Sequence, residues 1–294
     1  IEIVGDATPR APLSNQLNLG ELYPPKRGDE HRVANRSDFK KIEVGALIAG
    51  GGIAGSALFR YMADSGLNPV LVNADRGSSW RNIGGGRTAF SLPELAEIAE
   101  HNHAIFKELQ KISNIDYKTT RYINLAHDEA TFNALDASRA WSDAYMVDPK
   151  NFQKEISPYF STKSKRYLGA LITNDCWQAT PGKVVDLIRN MGISSGGRIM
   201  EDCKVLEVMK EGSTYSILVL THDKKYVEFR TEIFVNALGA GAGKICEGLG
   251  IHAGLYPVRH QAFITRRLPM LGKNGDSLDM LIDRQELSLI HISE

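Results

Sequence analysis

The 294-residue chain has little cysteine: its 3 Cys, Cys176, Cys203 and Cys246, stand far apart and form no C-x-x-C. That spacing suggests neither a disulfide framework nor a zinc clip, and it fits a reducing, cytoplasmic setting. The chain also lacks a charge excess, since 35 Lys and Arg meet 35 Asp and Glu. Attraction to nucleic acid or to an anionic membrane scales with uncompensated Lys and Arg, so neither partner is expected. No apolar run approaches the roughly 20 residues that span a bilayer, and the first residues show no charged-then-apolar signal pattern. There is no internal repeat. What is present is a 43% hydrophobic composition with 27 Gly, which excludes disorder throughout and allows one large or two ordinary domains. The chain starts at Ile1 rather than Met, so this start need not be a natural one.

Residues 1–41, with Pro9, Pro12, Pro24 and Pro25, read as an extension or linker. From Ile42 the character changes. Val44 to Ala49 is an apolar run too short for a helix, as a buried parallel strand requires. Gly50, Gly51, Gly52 and Gly55 follow, then a helical stretch from Ile53 to Ser65 that Gly66 ends. Pro69 opens a second apolar run, Val70 to Val72, completing a βαβ unit. Ser91-Leu92-Pro93-Glu94 has the form of a capping box, and Leu95, Ile98, Ile105 and Leu109 mark the apolar face of a helix to about Ile112. Thr180-Pro181 starts another helix, with Val184, Val185, Leu187 and Ile188 on its apolar side, ending near Gly192. A period of two then marks strands at Val205 to Met209, Tyr215 to Thr221 and Tyr226 to Arg230, the last two joined by a turn at Asp223-Lys224. Ile233 to Leu238 is a further apolar strand, running into Gly239, Gly241 and Gly243 and a helix to Gly248. Alternating strands and helices with an antiparallel insertion give an α/β class.

Gly50-Gly51-Gly52-Ile53-Ala54-Gly55 matches G-x-G-x-x-G between a strand and a helix, the setting a dinucleotide-binding loop needs. Gly50 permits the tight turn, Gly52 lets the backbone approach a pyrophosphate, and Gly55 lets the helix pack close to the strand. The N–H groups at the helix start, Ile53 and Ala54 included, meet the phosphates. The alternative is a Gly-rich strand-to-helix turn in another α/β fold. An acid about 20 residues on should accept hydrogen bonds from the adenosine ribose. Here that position is Asn73, with Asp75 close behind; either Asn73 substitutes or Asp75 reaches in, unless Asp75 is a solvated loop carboxylate.

Five stretches together resemble the FAD-dependent oxidoreductases of the D-amino-acid oxidase family, which includes glycine oxidase and sarcosine dehydrogenase. The first is the Gly50 to Gly55 loop. Ser79-Trp80-Arg81-Asn82-Ile83-Gly84-Gly85 is similar to the family's loop against the flavin. Asp175 to Pro181, with the following helix and Gly196-Gly197-Arg198-Ile199, resembles the segment before the strand whose Val205 meets the adenine through its backbone. Phe234-Val235-Asn236-Ala237-Leu238-Gly239-Ala240 resembles Val-Asn-Ala-x-Gly-Ala. Tyr256-Pro257-Val258-Arg259-His260-Gln261 is similar to Pro-Val-Arg-Gly-Gln, with His260 in place of Gly.

The resemblance implies FAD as cofactor, an amine or amino acid as small-molecule substrate, and oxidation of a C–N bond by hydride transfer to flavin. It implies a Rossmann-like FAD-binding domain over 42–112 and 165–250, interleaved with a partial α+β substrate domain over 113–164 and 251–286. Arg81 and the N–H groups of Asn82, Gly84 and Gly85 are placed to meet phosphate or flavin oxygens, the alternative for Arg81 being a surface ion pair. Ala237, Gly239 and Gly241 join the cofactor site. Tyr256 and His260 are the side chains near a matched motif that could face a substrate. Two other readings stay open. An NAD-dependent dehydrogenase would explain Gly50 to Gly55 without the Arg81-Asn82 loop, and a non-catalytic flavin-binding subunit would hold FAD structurally.

Some signals carry no chemistry. Gly192-Ile193-Ser194-Ser195-Gly196 matches G-x-S-x-G, but it follows a helix and precedes a strand, the reverse of a nucleophile elbow. His101 and His103 are two apart on a helix and cannot form one metal face, so both read as surface residues. Asp143, Asp148 and Glu155 suggest no carboxylate dyad, and Trp141, Tyr145 and Trp177 suit a core as well as a substrate wall. Residues 287–294 resemble the translation of a sequencing-library adapter, the alternative being an edge strand. A chain cut there would lack the family's carboxylate-anchoring arginine and would hold FAD weakly.

Overall fold

The computed structural model describes residues 39–90, 92–158, 160, 167–258 and 279–283, together with the backbone of 288–290. In chain order the elements are β1 (Lys40–Glu43), β2 (Ala46–Ala49), α1 (Ile53–Asp64), β3 (Pro69–Val72), β4 (Gly85–Gly86), α2 (Pro93–Ile112) and β5 (Lys118–Ala126). They continue with α3 (Glu129–Ala137), β6 (Ala144–Val147), α4 (Phe152–Glu155), β7 (Gly169–Gln178), α5 (Pro181–Ser194) and β8 (Arg198–Met200). The remaining ones are β9 (Lys204–Glu211), β10 (Thr214–Leu220), β11 (Tyr226–Thr231), β12 (Phe234–Asn236), α6 (Ala242–Gly248), β13 (Met280–Asp283) and β14 (Ser288–Ile290).

Three layers build the first half of the fold. The middle layer is a parallel sheet in the order β12-β2-β3-β8. All four residues of β2 and of β3 are buried, as strands covered on both faces must be. On one face Ile48 and Leu71 meet Phe59 of α1. On the other, Leu47, Ala49, Val70 and Val72 pack against Val205, Val208, Ile217, Val219 and Phe229. The last five come from a second sheet, ordered β1-β11-β10-β9, antiparallel except that β1 runs parallel to β11. The α/β class with an antiparallel insertion is therefore the observed one.

The other half is a six-stranded sheet in the order β14-β13-β5-β7-β4, with β6 paired to β7. Its core joins Ile123, Leu125, Val147, Phe152, Ala170 and Ile172. β7 belongs here, whereas the expected boundary at 165 puts it with the dinucleotide-binding stretch. The ten-residue β7 satisfies its backbone against β5, β6 and β4, and no strand of the parallel sheet offers it a partner. Lys40 and Lys41, expected in the extension, belong to β1, because Lys40 to Glu43 align with Val227 to Arg230. Ser288–Ile290 pairs antiparallel with β13. The rest of 287–294 and residues 1–38 lie outside the described residues.

Three local expectations need correction. α2 starts at Pro93 with Leu92 as its N-cap, and no side chain caps it. The residue before a proline is driven to extended backbone, and Leu92 sits at φ −116 and ψ 130, so the Ser91 box is one residue out of phase. Ser91 itself is outside the described residues. α2 also buries Ala96, Ala99, His103 and Leu109, while Leu95 and Ile98 face outward at 42% and 57% exposure. An alanine stripe lets the helix approach closely, and it runs beside the leucine stripe in the sequence. His103, read as a surface residue, is buried, whereas His101 is exposed. No helix among the described residues is long and apolar enough to cross a membrane.

Candidate functional site

The carboxyl ends of β2, β3, β8 and β12 meet around Gly50 to Gly55. β3 and β12 lie on opposite sides of β2, so the chain reverses its winding there, the place where open parallel sheets take ligands. Gly50 has φ +102, a backbone position that L side chains avoid. A Cβ on it would run into the carbonyl of Ala237, and a Cβ on Gly55 into the Gly50 carbonyl and the Ala237 methyl. The loop is thus clamped to the β12 end, where Ala237 N–H also donates to Ala49 O at 2.8 Å. Gly52 is the N-cap of α1 and has no side chain to occupy the first-turn N–H groups.

A second segment closes over this loop. Ser78–Trp80 forms a single 3-10 turn, and Ser79 Oγ accepts from Ile53 N–H at 2.9 Å. Arg81 is exposed and its guanidinium donates to Arg76 O. Asn82 donates to Ser79 O at 2.8 Å and accepts from Gly84 N–H at 2.6 Å. Gly84, at φ +73, lies against the Ala179 carbonyl, so a side chain there is doubly excluded. Gly85 and Gly86 pair with Gln178 and Trp177, which ties the segment to the six-stranded sheet.

Asn73 is buried at the end of β3. Its Oδ1 accepts from Gly51 N–H at 3.2 Å and its Nδ2 donates to Glu201 at 2.8 Å. Asp75 is exposed beyond it. Val205 is buried in β9, at the edge of the antiparallel sheet. Gly239 and Gly241 lie in a 3-10 turn after β12, held by Asn236, which donates to Ala242 O at 2.9 Å. Tyr256 is 74% exposed, and His260 lies outside the described residues.

The residues set aside from the sequence have structural work. Asp148 caps the 3-10 turn at Pro149–Asn151, and Trp141 Nε1 donates to Phe90 O at 2.8 Å. Trp177 stacks on His103 with ring centroids 4.4 Å apart, and His103 bonds Tyr117 Oη at 2.7 Å. Gly196, at φ +95, closes α5 as a turn. Cys176 is fully buried and its thiol is pushed up to about 11 by that burial, so it offers no thiolate. Sequence reasoning missed Ser79, Arg189 and Glu201. Arg189 carried a signal: it falls on the Val184, Val185, Ile188, Gly192 stripe of α5, and a charge on a buried stripe announces a buried partner.

Comparison with known proteins fits this geometry. Residues 46–289 match the family described as DAO, FAD dependent oxidoreductase. A curated relative, the anaerobic glycerol-3-phosphate dehydrogenase subunit A1 of Haloferax volcanii, is 27% identical over 240 residues, covering 72% of this chain and 39% of its own length. L-proline dehydrogenase from P. horikoshii superposes with a TM-score of 0.60 at 20% identity, over 72% of this chain and 56% of that one. Glycine oxidase from Geobacillus kaustophilus gives 0.59 at 18% identity, over 71% and 58%. The FAD-bound L-alpha-glycerophosphate oxidase from Mycoplasma pneumoniae gives 0.56 at 18% identity, over 71% and 57%. The chain therefore spans less than two thirds of the length of these relatives. By a match that covers most of its residues, it belongs to the DAO family of FAD dependent oxidoreductases.

Proposed function

We propose that this chain carries the FAD-binding part, and some of the substrate-binding part, of an enzyme that oxidises a C–N bond of an amine or amino acid. The observation that carries the reading is the loop clamped at Gly50 and Gly55, whose glycines put no side chains of their own over its N–H groups at the switch point of the parallel sheet. In this reading Gly50, Gly52, Ile53, Ala54 and Gly55 surround the pyrophosphate, and Asn73 and Asp75 border the ribose. Val205 meets the adenine through its backbone. Arg81, Asn82, Gly84 and Gly85 border the flavin from one side and Ala237, Gly239 and Gly241 from the other. Tyr256 and His260 face the substrate. The two-part division belongs to the proposal, with β7 counted on the substrate side.

When bound, the flavin would supply hydride-accepting chemistry toward the carbon beside nitrogen. The chain's own residues bind and orient. Ser79 shields the Ile53 N–H that a phosphate oxygen needs, so the 3-10 turn at Ser78–Trp80 is the part that adjusts on loading. The Asn82 hydrogen bonds at both ends of its side chain hold the following glycines in one conformation, which avoids an ordering cost at binding.

A second reading is oxidation of a C–OH bond in a small phosphorylated alcohol, favoured by the name of the Haloferax volcanii relative. The two are separated by anaerobic bleaching of the flavin in the full-length protein with glycine, sarcosine, proline and glycerol 3-phosphate. Bleaching by an amine is the expected result. Bleaching by glycerol 3-phosphate alone would replace the first reading with the second.

A further inference from the structure

A charged cluster stands beside the glycine loop, and the loop's own geometry does not use it. Glu201 directly follows β8, and one of its oxygens meets Arg189 Nη1 at 2.8 Å while the other accepts from Asn73 Nδ2 at 2.8 Å. Asn73 in turn accepts from Gly51 N–H, so the carboxylate is connected to the loop through one side chain. Arg189 is nine-tenths buried, with 9% of its side chain exposed, and lies 5.2 Å from the Trp80 ring. Among the described residues its Nε and Nη2 have no hydrogen-bond partner, a costly state for a buried cation. A Cβ on Gly51 would run into Nη2. This middle position of G-x-G-x-x-G tolerates any residue in principle, and here the guanidinium takes the space. Glu201, by contrast, is half exposed.

The second parallel strand should end in an acid for the ribose, and this chain has an amide there. The amide turns its donor toward the next strand. Val72 pairs with Met200, so Asn73 and Glu201 are neighbours across β3 and β8, about 4.8 Å apart in strand spacing. Each carboxylate oxygen has two acceptor sites, and each uses one inside the protein. The acid is therefore present, moved sideways by one strand, oriented at both oxygens and open on its remaining side.

Resting on the FAD reading above, we propose that Glu201 is the acceptor of the adenosine ribose hydroxyls, with Asn73 and Arg189 as positioning residues. Arg189 fixes one oxygen and balances the charge. Asn73 links the other to the loop.

The test uses flavin-free full-length protein, titrated with FAD and with FAD carrying 2′-deoxyadenosine, followed by flavin fluorescence. The wild type should prefer FAD by about tenfold, the scale of a hydrogen bond to a charged acceptor. Glu201→Gln should bring the ratio close to one. Should that variant fold poorly because Arg189 loses its counter-charge, the double variant Arg189→Leu, Glu201→Gln removes both charges and should show the same loss of preference. An unchanged preference in either variant would overturn the assignment and leave the pair as an anchor between α5 and β8. A wild type that binds neither flavin would overturn the FAD reading itself and this inference with it.

Discussion

His103 shows how much one buried ring can ask of its surroundings. It is 3% exposed, stacked on Trp177, bonded to Tyr117 and 3.5 Å from Asp175, with Lys107 beyond. Burial holds its pKa below the ordinary 6.5, against the pull of Asp175. The unfolded chain therefore binds this proton more readily than the folded one. By linkage, stability falls as pH drops through about 6.5 and below, and is recovered above it. His103→Gln should flatten that dependence, read as unfolding midpoints near about pH 5 and about pH 8. An unaltered slope would assign it to other groups. The sequence placed two histidines on a helix but not which way the helix faced. That depends on whether its leucines or its alanines face inward, a choice made by packing and invisible to periodicity alone.

At the scale of elements, α1 and α5 lock together through Phe59. This ring is fully buried, and a Cβ on either Gly192 or Gly197 would run into it. Both helices flank the glycine loop, α1 through its N-terminus and α5 through Arg189. Phe59→Ala should cost about 3–5 kcal/mol in urea unfolding, because the two glycines cannot refill the cavity. A loss below about 1 kcal/mol would mean that the helices close up after truncation. The βαβ unit was legible from sequence because its signals are local: an apolar run, glycines, a helix, Gly66 at φ +78 and Pro69. β7 was not legible as part of the other sheet. Its partners are scattered along the chain, Gly85 of β4 against Gln178 at one extreme, and no local residue type names a strand's partner. The proposed ribose corner was half legible for the same reason, since Asn73 stands where an acid is expected while Glu201 became its neighbour only through β3 and β8 pairing.

For the whole molecule, the proposed ligand choice rests on the six-stranded sheet standing beside the parallel one. A nicotinamide dinucleotide needs only the Gly50 to Gly55 loop and its crevice. In the proposed site a flavin dinucleotide also engages the Arg81 to Gly85 segment, whose glycines the six-stranded sheet holds by main-chain bonds. Added FAD should therefore raise the unfolding temperature of the flavin-free full-length protein, by the equivalent of about 2.7 kcal/mol at a hundred times its dissociation constant. NAD at the same concentration should leave it unmoved, and a comparable shift with NAD would point to a nicotinamide enzyme.

The pairing of Gly85–Gly86 with β7 also sets how this protein can be recombined with its relatives. A graft of residues 113–164 would carry β5 away from β7, breaking the alignment of Lys118 to Ala126 with Gly169 to Gln178 and loosening the strand on which the glycine segment hangs. Junctions at the ends of α2 and the start of α5, after Ile112 and before Pro181, transfer β5, β6 and β7 as one block and cut no strand pair among them. Shuffled libraries that respect those two points keep β5, β6 and β7 paired with one another, and a grafted block has then to renew two pairings only, β7 with Gly85–Gly86 and β5 with β13.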